Sequence, residues 1–259
     1  MRLCVFASGS SGNCLLLSDG DSHILIDAGI SMRRISAGLT RAGLSWRDID
    51  GVLITHEHSD HISGLKTLVR QRVVPVYAPR TVANRLRGML PGIDECLHIV
   101  PVGDAFFVSR FRVSAFHTPH DTDESVGYRV ECGDVFAIST DMGEVTEEVL
   151  HGLLGADTVL IEANHDPDLL RLGSYPAYLK LRILSARGHL SNPDCAALSR
   201  TLCENGTRRI ILGHLSRENN RPELARETVC KALAGFQAEI YCAPADGFLS
   251  LPVGKDILC

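Results

Sequence analysis

The stretch Gly51-Val-Leu-Ile-Thr-His-Glu-His-Ser-Asp-His-Ile-Ser-Gly64 decides how the rest of this sequence is interpreted. Its apolar start is typical of a short buried strand, and four potential metal ligands follow directly. Side chains two positions apart on extended backbone point the same way, so His56 and His58 can bind one ion. If the chain then turns into a helix, the first turn places Asp60 and His61 beside a second ion.

Three histidines and an aspartate at this spacing seldom serve a purely structural purpose. The pattern His-x-His-x-Asp-His resembles the signature of the metallo-β-lactamase-fold hydrolases without a departure. Glu57 lies within it but points away from its neighbours, and it is not predicted as a ligand. The motif is specific for the superfamily and leaves the substrate open.

Length and composition indicate one globular domain spanning residues 1–259, with 45% hydrophobic and 22% charged residues. Apolar runs are too short to span a membrane, and the N-terminus lacks a signal-peptide layout, so we predict a cytoplasmic protein without membrane contacts. The nine cysteines are scattered and are expected to be reduced thiols. A net charge of −5 argues against coating nucleic acid through bulk electrostatics, but it allows a local basic patch.

Strand and helix patterns alternate along the chain. Strands are predicted at 2–7, 14–17, 23–27, 52–54, 75–78, 106–108, 111–116, 126–132, 135–138, 158–161, 208–212, 240–242 and 248–251, with a hairpin turn at 133–134. Helices are predicted at 31–43, 60–71, 81–90, 144–154, 178–184, 192–203 and 222–233. Asn192 is the predicted N-cap of the clearest helix, with Pro193 at its first position. These patterns indicate an α/β domain, and the resemblance implies a four-layer αββα sandwich.

The resemblance also implies the remaining ligands of a two-metal site. The superfamily has a third histidine downstream, then a bridging aspartate, then a last histidine near the C-terminus. His120 is preferred to His117 as the third histidine because a His-Asp pair followed closely by Val-Gly-Tyr resembles the family pattern, and His117 remains the alternative. One ion would be bound by His56, His58 and His120, the other by Asp60, His61 and His214, with Asp141 between them.

Mixed imidazole and carboxylate ligation suits two divalent metal ions, with zinc as the first choice and manganese or iron as alternatives. Two cations lower the pKa of a shared water enough to supply hydroxide near neutral pH, so a bridging hydroxide is the predicted nucleophile. Asp60 is accordingly counted among the catalytic residues as well as the ligands. In the superfamily, the aspartate corresponding to Asp27 braces the metal-binding loop, and His165 is predicted beside the ligands rather than among them.

Three further stretches resemble the bacterial YycJ/WalJ-type branch of the superfamily: residues 8–14, 162–166 with 173–176, and 188–192. Proteins of that branch are implicated as DNA-processing exonucleases, and related branches include ribonuclease Z and cyclic phosphodiesterases. One departure is Thr122-Asp-Glu124, where a smaller and less acidic turn is expected. The matches span almost the entire chain in the expected order.

Two stretches bear on a phosphodiester substrate. The Gly/Ser loop at 8–13 forms either a small anion nest or only a flexible hairpin. Amides at the start of the 192–203 helix favour an anion such as phosphate. His189, just upstream, is predicted as the general acid for the departing oxygen, with an ordinary loop hydrogen bond as the alternative. The predicted substrate-binding residues are Ser10, Ser11, Asn13, Ser191 and Asn192, and weaker candidates are Lys180, Arg182 and Arg187.

Three functions remain open. The leading hypothesis is a dinuclear phosphodiesterase acting on nucleic acid, with DNA favoured over RNA and an exonuclease expected. The runner-up is a small-molecule hydrolase of the same fold, such as a cyclic phosphodiesterase, thioesterase or lactonase. The third is a non-catalytic scaffold, which ranks last because scaffolds tend to lose ligands and this chain has a candidate for every one.

Overall fold

Two mixed β-sheets form the centre of the computed structural model, which describes residues 1–71 and 74–254. The first sheet contains β1 (Arg2–Ala7), β2 (Cys14–Asp19), β3 (Ser22–Ile26), β4 (Gly51–Leu53), β5 (Val76–Pro79), β6 (Leu97–Val100) and β14 (Leu249–Pro252). The second contains β7 (Ala105–Val108), β8 (Phe111–His117), β9 (Val126–Cys132), β10 (Asp134–Ser139), β11 (Thr158–Glu162), β12 (Arg209–Gly213) and β13 (Glu239–Cys242).

The helices connect and cover these strands. They are α1 (Met32–Arg41), α2 (Ser59–Ile62), α3 (Leu65–Gln71), α4 (Arg80–Met89), α5 (Glu147–Leu153), α6 (Pro167–Leu172), α7 (Ala177–Ile183), α8 (Asn192–Glu204) and α9 (Pro222–Ala232). Among the described residues, none of them combines the length and the apolar character that a bilayer crossing requires.

Each sheet is antiparallel on one side and parallel on the other. The strand orders are β14-β1-β2-β3-β4-β5-β6 and β13-β12-β11-β10-β9-β8-β7. Pairing is parallel from β3 to β6 and from β10 to β13. Loops at the carboxyl ends of such parallel strands are the usual location of a functional site in α/β proteins.

Strand alternation sorts the apolar side chains into layers. In β1, Val5 belongs to the cluster between the two sheets, where it joins Phe111, Tyr128 and Phe136 of the second sheet. Its neighbour Phe6 faces the other way, into a cluster with residues of α1, α3 and α4. A third cluster packs α5, α8 and α9 against the outer face of the second sheet. The predicted αββα sandwich is confirmed.

The predicted helix over 60–71 is in fact two helices, α2 and α3, separated at Ser63 and Gly64. Gly64 donates its N–H to the Ala28 carbonyl at 2.7 Å. A Cβ on Gly64 would lie 2.5 Å from the Ile30 carbonyl oxygen, so the backbones pack directly together here. The break lets α2 end close to the loop that follows β3. This long-range contact cannot be predicted from hydrophobic periodicity.

Other differences are smaller. Strand β6 and helix α6 were not predicted, and α5 begins at Glu147, after the N-cap Thr146, rather than at residue 144. Ser191, not Asn192, is the N-cap of α8, because its hydroxyl accepts a hydrogen bond from the Asp194 N–H. The cysteines within the described residues are all free thiols.

Candidate metal centre

The candidate site lies where the carboxyl ends of parallel strands from both sheets meet. Three of its residues, Asp27, Asp141 and His214, follow β3, β10 and β12 and have φ angles of 58°, 57° and 52°. In residues 1–71 and 74–254, the one other non-glycine residue with positive φ is Ser109. A left-handed backbone is unfavourable for residues with a Cβ and clusters at functional sites, where surrounding contacts maintain it.

The first group of donor atoms comes from His56, His58 and His120. His120 Nε2 lies 3.3 Å from His58 Nδ1. Thr55 Oγ1 lies 3.1 Å from His56 Nδ1, and the buried Nε2 of that ring has no hydrogen-bond partner in the described part of the chain. Three imidazole nitrogens therefore converge on one point.

His117 lies outside this group. Its side chain is 52% exposed, and its Nδ1 is 2.9 Å from Glu148 Oε1. His120 is buried by contrast, at 3% exposure. The structure thus brings His120, and not His117, together with His56 and His58.

The second group comes from Asp60, His61 and His214. Asp60 Oδ2 lies 3.6 Å from Nε2 of each histidine. Asp141 lies between the two groups, with Oδ2 3.1 Å from His61 Nε2 and Oδ1 3.7 Å from His120 Nε2. Nitrogen and oxygen donors bound at about 2.1 Å to one tetrahedral ion are about 3.4 Å apart, so these separations fit metal ligation.

A layer of contacts behind the donors sets their orientation. Asp27 Oδ2 accepts a hydrogen bond from His61 Nδ1 at 2.7 Å, and both Asp27 oxygens bind the Thr55 hydroxyl. On the opposite side, Glu162 Oε1 lies 3.0 Å from His214 Nδ1. With Nδ1 bound in this way, Nε2 of both rings faces the centre, which is how carboxylates commonly orient histidine ligands.

Glu162 is the functional candidate that the sequence reasoning missed. Besides His214, it contacts His189, whose Nδ1 lies 2.7 Å from the same Oε1, and its Oε2 accepts the Met142 N–H at 2.9 Å. The side chain is fully buried at the end of β11. Asp27, which was predicted, likewise lies at a strand end, directly after β3. An acid that ends an apolar run could therefore have identified Glu162 from the sequence.

The electrostatics of the cluster favour bound cations. Burial lowers the pKa of His61, but the carboxylates of Asp27 and Asp141 outweigh it and raise that pKa to about 10. Burial likewise opposes the rise for His214, yet Asp141, Asp60 and Glu162 raise its pKa well above the ordinary value. Carboxylates that draw protons onto buried imidazoles would also attract divalent cations, which compete with those protons. The donor set therefore fits metal binding.

The Gly/Ser loop at 8–13 forms hydrogen bonds to two parts of the site, the residue after β12 and helix α2. Ser8 Oγ accepts the His214 N–H at 2.9 Å, and Asn13 donates its N–H to the Asp60 carbonyl at 2.8 Å. The Gly9 and Gly12 amides bond within the loop, to Asn13 Oδ1 and Gly9 O. Because the Gly9, Gly12 and Asn13 amides are already used, an anion nest built from these three amides is not what this conformation provides.

Gly29 is required where this loop meets the metal-binding motif, because a Cβ there would lie 1.6 Å from the Asp60 carbonyl oxygen. We expect Gly29→Ala to lower the free energy of unfolding by about 2 kcal/mol or more and to reduce metal content, since the obstacle is backbone. Urea unfolding and metal analysis would measure both. Gly88→Ala is the matched control: its Cβ would meet nothing within 4 Å in α4, so it should be neutral or stabilising. Equal behaviour of the two variants would contradict this account.

The predicted substrate-binding residues are placed unevenly. Ser10 and Ser11 are exposed, and Ser11 Oγ accepts from Arg217 Nη2 at 3.0 Å. Asn13 is buried, with its amide Nδ2 3.0 Å from His61 Nε2, so it lies against the ligands rather than in the opening. Its contacts are those of a residue that supports the ligands.

The start of α8 does not present a phosphate site, contrary to the sequence-based expectation. Asn192 is fully buried and exchanges amide hydrogen bonds with Asn220 at 2.9 and 2.8 Å. Ser191 Oγ is bound to Asp194 Oδ2 at 2.5 Å, and the Asn192 N–H donates to the His165 carbonyl. The helix N-terminus is therefore satisfied by the protein itself and already carries a carboxylate.

His165 is buried beside the site, with 1% of its surface exposed. Neither ring nitrogen has a hydrogen-bond partner within the described residues, and burial lowers its pKa. His165 is absent from the groups of converging donor atoms found in the described chain, in line with its predicted place beside the ligands.

The acidic loop after His120 is anchored to the metal-binding motif and to α4. Thr122 Oγ1 donates to Glu57 Oε1 at 2.6 Å, and Glu124 Oε2 accepts the Thr81 N–H at 2.8 Å. Asp123 forms an ion pair with Arg85. A polar cleft of about 370 Å³ opens here beside His58, with Arg85 and Arg187 among its lining residues.

Residues 22–215 match the family model of a β-lactamase superfamily domain. The chain is 37% identical over 235 residues to the exodeoxyribonuclease YycJ of Bacillus anthracis, covering 90% of this chain and 89% of that protein. It is 41% identical over 238 residues to the exodeoxyribonuclease WalJ of Streptococcus pneumoniae serotype 2, covering 90% and 88%. The crystal structure of zinc-bound PqqB from Methylobacterium extorquens superposes with a TM-score of 0.71 at 20% identity, covering 97% and 100%.

Proposed function

Because this chain belongs to the β-lactamase superfamily, we propose that it is a dinuclear metal-dependent hydrolase that cleaves phosphodiester bonds in nucleic acid, DNA in preference to RNA. The observation that carries the proposal is a set of six ligand candidates around a seventh, Asp141, with His189 beside them. The choice of DNA follows the two relatives named exodeoxyribonucleases, which match nine-tenths of the chain. Their names also favour exonucleolytic cleavage.

The ligand assignment follows the two groups of donor atoms. His56, His58 and His120 would hold one ion, and Asp60, His61 and His214 the other, with Asp141 shared. Zinc is the first choice because imidazole and carboxylate donors suit it and a relative of the same fold was solved with zinc. Two bound cations would supply hydroxide near neutral pH and neutralise charge on the phosphate.

His189 is the proposed proton donor. Its Nδ1 is held by Glu162 at 2.7 Å, which leaves Nε2 to protonate the departing oxygen. The side chain is 19% exposed, so it reaches the opening that a substrate would enter. Burial works against it, but the Glu162 carboxylate raises the pKa of His189 above its ordinary value, which favours the protonated form.

Asp60 links the metal site to the rest of the fold. Its carboxylate is partly exposed, whereas its backbone carbonyl is fixed by the Asn13 N–H. Asn13 Nδ2 also lies 3.4 Å from Asp60 Oδ2. These two contacts would keep the Asp60 carboxylate in place to hold the second ion.

We expect the purified protein to bind about two divalent ions per chain and to release nucleotides from end-labelled DNA. Metal analysis after reconstitution with zinc or manganese measures the first result. Labelled single-stranded and duplex DNA, RNA of the same sequence, and a panel of cyclic nucleotides, thioesters and lactones measure the second. Fewer than one ion per chain would contradict the metal site. Turnover of a small ester with no cleavage of nucleic acid would favour the small-molecule hydrolase.

A further inference from the structure

The segment 171–189, which we call the apolar arm, exposes several large apolar side chains. Within the described residues, the arm carries four of the eight large apolar side chains that are exposed, namely Leu172, Tyr178, Leu181 and Leu184. Tyr178 and Leu181 are 74% and 71% exposed. The last three stand three residues apart along α7 and its C-cap, so they share one face of the helix. An exposed apolar patch of this kind marks an interaction surface.

The arm is also locally basic. It contains four basic and no acidic residues, in a chain whose net charge is −5. Arg171 and Arg182 have carboxylate partners in Asp168 and Asp121. Lys180 and Arg187 instead donate to backbone carbonyls, which leaves their positive charge uncompensated by any contact within the described residues. The surface therefore combines apolar side chains with an excess of positive charge.

Two contacts tie the arm to the rim of the candidate metal centre. Arg182 binds the carboxylate of Asp121, the residue next to His120. Arg187 donates to the His120 carbonyl at 2.6 Å and lines the cleft beside His58. The last two residues of the arm are Gly188 and His189, the proposed proton donor. A polymer leaving the centre on this side would meet the arm next.

We propose that the apolar arm binds the nucleic-acid strand that flanks the scissile phosphate, with a base stacked on Tyr178 and an adjacent base packed against Leu181 and Leu184. This inference rests on the proposed function, and it adds the path that the substrate strand takes from the metal centre. Aromatic faces beside uncompensated cations are the combination that binds unpaired strands without sequence preference. The charge complements the phosphates of a polyanion, whereas a second copy of this net-negative chain would offer no such complement.

The test is equilibrium binding of a phosphorothioate-protected, fluorescein-labelled oligothymidine to the metal-loaded protein, followed by anisotropy. Tyr178→Ala combined with Leu181→Ala should raise the Kd about tenfold, because stacking and apolar contacts with bases are lost. Tyr178→Trp alone should bind as tightly as the wild type or more tightly, which a merely structural role would not predict. Phe107→Ala is the matched control, an exposed apolar side chain on the edge strand β7, and should stay within about twofold of wild type.

Nuclease assays on the same variants separate the two proposals. In the Tyr178→Ala, Leu181→Ala variant, the loss of cleavage should grow with oligonucleotide length, because only a longer strand can extend from the metal centre to these two side chains. If the wild type cleaves DNA but the arm substitutions leave the Kd unchanged, the proposed role of the arm is wrong and the proposed function stands. Binding that depends on the arm, without any cleavage of DNA, would support the arm and overturn the proposed function. A wild-type protein that binds no oligonucleotide, or a dimer in sedimentation velocity that the arm substitutions dissociate, would also overturn the arm.

Discussion

His120→Ala should lose a metal ion and reduce turnover by about a thousandfold or more, whereas His117→Ala should keep both ions and most of its turnover. The buried imidazole of His120 converges with His56 and His58. Removing one of three ligands would weaken the binding of that ion, which would otherwise stabilise the transition state by several kcal/mol as a Lewis acid. His117 is half-exposed and engages Glu148 on the surface.

Metal content per chain and initial rates on labelled DNA, measured side by side, check this expectation. Thermal unfolding of both variants establishes that a lost activity reflects lost metal and not a lost fold. If His117→Ala lost metal while His120→Ala kept it, the assignment of the third histidine would be wrong. The two residues differ by only three positions, so the pair is a matched test of geometry.

The second large effect is expected for His189→Ala, which should keep both metal ions and lower turnover on DNA by roughly a hundredfold or more. The reason is that the departing alkoxide of DNA would need a proton, and His189 Nε2 is the proposed donor. On a nitrophenyl phosphodiester the loss should shrink, because that leaving group departs without a proton. Rates on both substrates with the metal content of the same samples provide the measurement.

His151→Ala is the control for this experiment. His151 lies exposed on α5, with Nδ1 2.8 Å from the Glu147 carbonyl oxygen, and its removal should change neither substrate's rate. Equal losses on DNA and on the activated diester would mean that His189 positions the substrate and does not protonate it. Loss of an ion would make His189 a ligand, which its place near Asp141, Glu162 and His214 makes a concrete alternative.

Several features of this protein follow from the sequence alone. The geometry of the motif at 56–61 can be predicted from local structure alone, since alternation on extended backbone and one helical turn bring four donors together. Asp27 and Asp141 came from the resemblance, supported by the position of each close behind an apolar run, where a strand ends. The αββα architecture, in turn, came from resemblance and was confirmed by the packing of three apolar clusters.

Other features were decided only by tertiary structure. Glu162 orients two histidines that lie 27 and 52 residues away, because β11 and β12 run parallel and end at the same edge. The start of α8 looked like an anion site, but Asn220, Asp194 and the His165 carbonyl satisfy its polar groups. Local pattern specifies which groups a segment offers. Which of them remain free depends on partners from distant segments, because buried polar groups must be paired wherever the fold provides a donor or acceptor.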